Sequence, residues 1–304
     1  MPQRILVGLI GGNILKSLSP ALFEQTCRSI GIEGHYHLMD LEVLPGRTLD
    51  TIISACRTAG FSGTNITYPC KEAVLPLLDE VTPEARQIGA VNAVVISRDG
   101  RTVGHNTDRI GFRRAFEARF GADAARGRTV ILVGAGGAGR AVAFALLDLG
   151  INALLIYDTR PQAAERLVDA VRRAGGRGRA AVVADVAAAL PDAAGIVNAT
   201  PIGMSGIPGN PLPTHAVSAC HWVADVIYTP LETDGLKLAR ARGASVMGGA
   251  GMCVHQAAET FRLFTGRTPD TERMQVIFEA AAGGRSERVP HGDRTAGNFG
   301  VPQQ

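Results

Sequence analysis

The segment Val130-Ile131-Leu132-Val133-Gly134-Ala135-Gly136-Gly137-Ala138-Gly139 decides the fold. Val130 to Val133 is a short apolar run, the pattern of a strand buried on both faces. It leads into Gly-x-Gly-x-x-Gly. From Arg140 to Leu149, the residues Ala141, Phe144, Ala145 and Leu149 share one helical face, and Gly150 closes the helix. Ala153 to Tyr157 is a second apolar strand with Asp158 at its end. Each glycine has a mechanical reason. Gly134 permits the tight turn, Gly136 lets a pyrophosphate approach the backbone, and Gly139 lets the helix lie close to the strand. The free N–H groups at the helix start favour phosphate oxygens. Asp158, nineteen positions after Gly139, stands where a carboxylate accepts hydrogen bonds from an adenosine ribose. The segment therefore predicts a dinucleotide-binding βαβ unit, with Gly134, Ala135, Gly136, Gly137 and Ala138 at the phosphates.

The bulk numbers agree with an α/β protein. A chain of 304 residues suffices for about two domains. Apolar content is 46% and charged content 19%. A net charge of +3 gives no reason to expect a nucleic-acid or membrane partner. No apolar run is long enough to span a bilayer, and Met1-Pro2-Gln3-Arg4 leads into a strand rather than a signal peptide. The five scattered cysteines contain no C-x-x-C, which predicts reduced thiols, a cytoplasmic setting and no metal site. Of 31 basic residues only Lys16, Lys71 and Lys237 are lysines. Arginine holds its proton where lysine can release it, so these three are flagged for a titrating role.

Upstream of the glycine turn, Ile5–Ile10 reads as a strand, followed by Lys16-Ser17-Leu18-Ser19-Pro20. Pro20 starts a helix, and taken alone Ser19 is its N-cap. Strands follow at His35–Leu41 and Phe61–Thr67, with a helix from Leu49 between them. Cys70-Lys71-Glu72 is expected to open the next helix, which gathers Asn65, Thr67 and Lys71 at one corner. Gly89–Ile96 is a strand and Asp99-Gly100 a hairpin turn. Beyond Asp158, strands are expected at Ala181–Ala184, Gly195–Thr200, Trp222–Ile227 and Ser245–Met247, and a last helix at Thr271–Ala282.

Several motifs together resemble one family, the shikimate/quinate dehydrogenases. They are Lys16-Ser17-Leu18-Ser19-Pro20, Asn65-Ile66-Thr67-Tyr68-Pro69-Cys70-Lys71, Gly89-Ala90-Val91-Asn92, Gly104-His105-Asn106-Thr107-Asp108, Asn198-Ala199-Thr200-Pro201-Ile202-Gly203-Met204, Asp225-Val226-Ile227-Tyr228 and Gly251-Met252-Cys253-Val254-His255-Gln256-Ala257. The likeness runs in order over residues 5–282. It implies an NAD(P)-dependent oxidoreductase that moves a hydride between a nicotinamide and the ring 3-position of shikimate or quinate. By that resemblance Lys71 and Asp108 are the catalytic pair, and Ser17, Ser19, Thr67, Asn92, Tyr228 and Gln256 surround the substrate. Thr200, Val226, Gly249 and Met252 line the nicotinamide half. Asn106 supports its loop, and His105 and His255 are structural. Oxidising an alcohol requires a group that accepts its proton as hydride leaves. A neutral amine can do this, yet a carboxylate beside it favours the charged form, so either member of the pair can carry the proton.

NADP-using relatives tend to carry Asn-Arg-Thr where this chain has Asp158-Thr159-Arg160. Asp158 would repel a 2′-phosphate, whereas Arg160 could turn toward one; NAD is expected and NADP is the less favoured cofactor. Some quinate-handling relatives have threonine at Ser19, and the sequence leaves shikimate, quinate, both, or an amino-substituted analogue open. The rival readings are a ligand-sensing paralogue without turnover and a related dehydrogenase acting on a folate.

The expected architecture is α/β with two domains. Residues 1–107 form a substrate domain with a mixed sheet and residues 108–242 a Rossmann domain. Residues 243–282 return to the first domain, and residues 283–304 form a disordered tail. The protein is expected to be a monomer or homodimer whose partner is a small molecule.

Overall fold

In the computed structural model, which describes residues 4–43, 46–175 and 179–286, the glycine segment joins the central strand of a parallel sheet to its helix. In chain order the first half contains β1 (Arg4–Gly11), α1 (Ser19–Ser29), β2 (Glu33–Asp40), α2 (Leu49–Thr58) and β3 (Gly63–Ile66). β4 (Glu80–Val81), α3 (Pro83–Ile88), β5 (Ala93–Ile96), β6 (Thr102–His105) and α4 (Asp108–Phe120) follow. These strands form one sheet in the order β2-β1-β3-β5-β6-β4. β1 runs parallel to β2 and β3, whereas β5 is antiparallel to both β3 and β6, so the sheet is mixed.

The second half begins with β7 (Thr129–Val133), α5 (Gly137–Asp148), β8 (Ala153–Tyr157), α6 (Pro161–Arg173) and β9 (Arg179–Val182). It continues with α7 (Val186–Ala189), β10 (Gly195–Asn198), β11 (Trp222–Asp225), α8 (Asp234–Ala241) and β12 (Ser245–Met247). The sheet order is β12-β11-β10-β7-β8-β9, all parallel. Read from β9, the order is third, second, first, fourth, fifth, sixth, the doubly wound arrangement of a dinucleotide fold. Val130, Ile131 and Leu132 have no exposed surface, as a two-faced burial requires. α9 (Ala250–Thr265) and α10 (Thr271–Ser286) then pack on each other and on α1.

Four expectations need correction. β12 is the edge strand of the second sheet, so that sheet extends past residue 242. α10 runs through Ser286, so residues 283–286, expected to begin a disordered tail, are helical; residues 287–304 lie outside the described residues. Lys71 does not open an α-helix. Cys70 N–H donates to Thr67 O at 2.8 Å, and the turn yields only a 3₁₀ segment at Leu75–Leu77. Pro76 within that segment has no N–H to propagate a helix. Finally, Ser19 is inside α1 rather than capping it; the cap is Leu18, without a side-chain bond. Ser17 Oγ accepts the Ser19 N–H instead, at 3.2 Å.

The glycine turn has the geometry its sequence demands. Gly134 has φ +104° and Gly150 φ +76°, both in the region that favours glycine. A methyl on Gly139 would stand 2.0 Å from Gly134 O, a distance no side chain tolerates. Gly139→Ala is therefore expected to cost about 1–3 kcal/mol as an overpacked turn. A thermal melt should show a fall of roughly 3–10 °C, with loss of cofactor binding. An unchanged melting temperature would contradict the close approach.

Candidate active site

Sheet direction gathers the site. β1 and β3 are parallel and β5 is antiparallel to them, so the ends of β1 and β3, the start of β5 and the end of β6 share one edge. Asn65 pairs with Ala93, and Ala93 pairs with His105. That register sets Asn92 beside both Asn65 and the His105–Asp108 segment. Helix α9 approaches from above because α4 offers glycine at the crossing: a methyl on Gly111 would meet Gln256 Cβ at 2.8 Å. Gln256 is thereby lowered toward the start of α4.

Lys71 Nζ donates to Asp108 Oδ2 at 2.7 Å, with side-chain exposures of 18% and 7%. Asn92 orients that carboxylate. Its Nδ2 donates to Asp108 Oδ1 at 2.9 Å and to Thr107 Oγ1 at 2.9 Å, while its Oδ1 accepts the Thr107 N–H at 2.7 Å. Gln256 Oε1 lies 3.5 Å from Asn92 Nδ2 and accepts from Thr107 Oγ1 at 3.3 Å. Thr107 Oγ1 also meets Thr260 Oγ1 at 3.0 Å. Asn106 supports the loop before α4: its Oδ1 accepts the Asp108 N–H at 3.1 Å and its Nδ2 donates to Ala90 O at 2.9 Å.

The network extends to the serines. Asn65 Nδ2 donates to Asn92 O at 3.1 Å, and its Oδ1 accepts from the Tyr36 hydroxyl at 2.9 Å. Burial pushes the Tyr36 phenol well above its ordinary value, against a hydrogen bond from Ser19 that lowers it, so the hydroxyl keeps its proton. Ser17 Oγ donates to Ser19 Oγ at 3.0 Å. Thr67 lies against the end of β1, its Cγ2 where a methyl on Gly11 would be 2.3 Å away. Tyr228 packs against the apolar cluster that contains Leu18 and Leu22 and stacks edge-on to Phe278 at 5.8 Å, which brings a loop of the second sheet toward the serine segment. Burial raises the Cys253 thiol to about 12, although its neighbours Gln256 and Lys71 pull it down, which disfavours the reactive thiolate. Thr107, Thr260, Tyr36 and Cys253 are absent from the sequence-derived set. Thr260 lies one helical turn past Gln256, which is the signal that could have found it.

Asp40 holds the loop that carries Ser17. Its carboxylate accepts the N–H groups of Asn13 at 3.1 Å, Ile14 at 2.8 Å and Glu42 at 3.0 Å. Burial raises its pKa, but these backbone donors outweigh burial and hold it below the ordinary 3.8. A lowered carboxylate stabilises the fold above its unfolded pKa and loses that contribution as pH falls through the folded value. The loop should therefore be unaffected at neutral pH and loosen only under acid. Asp40→Ala is expected to raise the KM for the acid substrate about tenfold, the equivalent of one charge-assisted hydrogen bond. The KM for the cofactor should stay within twofold; equal changes in both would detach Asp40 from the serine loop.

The second sheet supplies a cradle that fits a dinucleotide. A methyl on Gly136 would have no neighbour within 4 Å, so open space borders that backbone. The twelve-residue α5 starts at Gly137, and its first N–H groups face the turn. Asp158 Oδ2 accepts the Ala135 N–H at 2.8 Å, and Oδ1 accepts the Arg160 N–H at 2.9 Å. The Arg160 side chain is 72% exposed, with Nε 3.5 Å from Asp158. Thr200 Oγ1 donates to Asn198 Oδ1 at 2.7 Å beside Gly134. A methyl on Gly249 would meet Val226 O at 2.2 Å, so those two backbones touch. Met252 is buried with Ala135 and Ala199, and Val226 packs on the same cluster. The two halves meet directly: a methyl on Gly137 would lie 3.2 Å from Lys71 Cδ. Among the described residues, no group of three or more His, Cys, Asp or Glu side chains converges, and no helix is long and apolar enough to cross a membrane.

Comparison with known proteins identifies the family of the chain. The family profile described as shikimate dehydrogenase substrate binding domain matches residues 9–94, and that of the shikimate 5′-dehydrogenase C-terminal domain matches residues 249–275. A quinate/shikimate dehydrogenase (NAD(+)) of Corynebacterium efficiens is 46% identical over 90% of this chain and 97% of its own. A shikimate dehydrogenase (NADP(+)) of Streptomyces avermitilis is 48% identical over 91% and 96%. The structure of quinate dehydrogenase from Corynebacterium glutamicum in complex with NAD superposes with a TM-score of 0.86 at 42% identity, over 91% of this chain and 99% of that one.

Proposed function

The chain belongs to the shikimate/quinate dehydrogenase family, and on that premise we propose that it catalyses reversible hydride transfer between NAD and the ring 3-position of shikimate, quinate or both. The observation that carries the reading is the Lys71–Asp108 pair at 2.7 Å, with the lysine stem lying on the first residue of the dinucleotide helix. A bound nicotinamide would supply the hydride acceptor for oxidation and the hydride donor for reduction. The chain supplies everything else. Lys71 and Asp108 hold the reacting hydroxyl and move its proton; Asn92 and Gln256 fix the direction of the carboxylate. Ser17, Ser19, Thr67 and Tyr228 offer hydroxyls to a carboxylated polyol, partners that a fused aromatic ring system such as a folate would leave unused. Gly134, Gly136 and Ala138 would hold the pyrophosphate, Asp158 the ribose, and Thr200, Val226, Gly249 and Met252 the nicotinamide.

NAD preference is supported by the half-buried Asp158, with its carboxylate at the strand end, and by the exposure of Arg160. We place the enzyme in the cytoplasm as a monomer or homodimer. A ligand-sensing protein without turnover would have no use for an intact proton-carrying pair. The deciding experiment is a kinetic matrix of shikimate and quinate against NAD and NADP, read at the absorbance band of the reduced nicotinamide. NADH formation with at least one acid, at a lower KM for NAD than for NADP, is expected. No reduction with either acid would overturn the reading.

A further inference from the structure

We propose that Arg109 is a positioning residue: it clamps the far end of α5 to α3 and so fixes where the glycine turn stands relative to Asp108. The proposal rests on the hydride-transfer reading of the cleft. Arg109 follows Asp108 in the first turn of α4, and Asn106 Oδ1 accepts both backbone N–H groups, at 3.1 Å and 3.3 Å. Arg109 Nε and Nη2 donate to the two oxygens of Asp148 at 2.7 Å and 2.6 Å. Its Nη1 donates to Gln87 Oε1 on α3 at 3.1 Å, and its guanidinium lies 5.6 Å from the Phe144 ring centroid. One planar fork thus joins three helices, a geometry that a lysine ammonium cannot reproduce.

The rest of α5 shows what the clamp controls. Ile88 and Ala90 of the first half pack on Ala141 and Phe144 of α5 in an apolar seam, each at most 1% exposed. Arg140 donates to Ile88 O at 3.5 Å and approaches Glu72 at 3.7 Å. α5 is therefore a lever resting on this seam, with Asp148 at one end and Gly137, against Lys71, at the other. From the seam to Gly137 the helix rises roughly 8 Å, so a tilt of about 7° about the seam moves that end by about 1 Å. A displacement of about 1 Å in a reacting geometry can cost about a hundredfold in rate. The seam is apolar and does not by itself specify an angle; the bidentate fork does.

The test compares Arg109→Met, Arg109→Lys, Asp148→Asn and the double variant Arg109→Met/Asp148→Asn in the full chain. kcat, both KM values, the melting temperature and the primary isotope effect with acid deuterated at the reacting carbon are measured. Arg109→Met keeps an apolar stem over Phe144 and is expected to lower kcat at least tenfold. Both KM values should stay within twofold, and the isotope effect should increase. Arg109→Lys should not rescue turnover, and the double variant should be no worse than Arg109→Met. Asp148→Asn, a near-isosteric change, keeps the test decisive if an Arg109 variant misfolds. A kcat within twofold of the parent in the Arg109 and Asp148 variants overturns the proposal, whatever the melting temperature. So does a loss confined to KM. Absence of turnover in the parent enzyme overturns the reading of the cleft, and the clamp with it; normal parent turnover with unaffected variants overturns the clamp alone.

Discussion

Lys71→Ala is expected to lower kcat for oxidation of the acid by about three orders of magnitude, within the range of about 10² to 10⁴ typical of general acid–base catalysis. Lys71 Nζ is the amine that the structure places on Asp108, at 2.7 Å, and its stem lies against Gly137 where the dinucleotide helix begins. Substrate should still bind, because the serines, Thr67 and Tyr228 remain, and titration calorimetry can measure this directly. The variant also strips Asp108 of its cation and leaves the carboxylate buried at 5% exposure. Such a loss costs stability as well as turnover. Lys71→Arg separates the two effects. A guanidinium can pair with Asp108 and restore the melting temperature, but it does not release a proton under working conditions. The expected result is a folded, substrate-binding enzyme with turnover still reduced by at least a hundredfold. Near-normal kcat in Lys71→Arg would remove Lys71 as the proton carrier and leave Asp108 as the only candidate of the pair.

What could be read from the chain beforehand follows from the range of each interaction. The strand–turn–helix of Val130–Leu149 is specified locally, by apolar periodicity, by the positive φ of Gly134 and by the close approach at Gly139, so sequence and structure agree there. The corner at Lys71 was legible in composition but not in shape, because Pro76, five residues away, decides whether a helix can propagate. Ser19 shows a second limit. A cap was the local reading, yet Ser17 takes the Ser19 N–H and leaves the Ser19 hydroxyl to Ser17 and Tyr36. Tyr36 itself was invisible: nothing in the strand β2 says that its hydroxyl will meet Asn65, twenty-nine residues away. That contact exists only because β1 separates β2 from β3 in the sheet, and sheet order is a property of the whole chain. β9 illustrates the same point at an edge, where the strand forms at Arg179–Val182 rather than at the expected Ala181–Ala184. Edge strands are held from one side only, so their limits depend on the neighbour, here β8, more than on their own residues.

Asp158→Asn is expected to shift cofactor selectivity, measured as the ratio of kcat/KM with NAD to that with NADP, about a hundredfold toward NADP. The physical term is the repulsion between the Asp158 carboxylate and a ribose 2′-phosphate. At roughly 5 Å and an effective dielectric of about 40, each unit of phosphate charge is disfavoured by about 1.7 kcal/mol. A phosphate carrying between one and two charges therefore accounts for roughly two decades of discrimination. Asp158 also accepts the Ala135 N–H at 2.8 Å, so the substitution disturbs the glycine turn as well. That disturbance acts on both cofactors alike and cancels in the ratio, whereas the charge acts on NADP alone. Arg160 supplies an internal control. Its guanidinium is mostly in solvent and lies beside the same carboxylate, so it is free to reach a phosphate only when Asp158 no longer competes for it. Arg160→Ala should therefore change NADP use little in the parent and should remove much of the gain in the Asp158→Asn background. High salt should reduce the discrimination, because the pair acts at a partly exposed site. A ratio that moves less than threefold in Asp158→Asn would show that the carboxylate serves the turn and not the choice of cofactor.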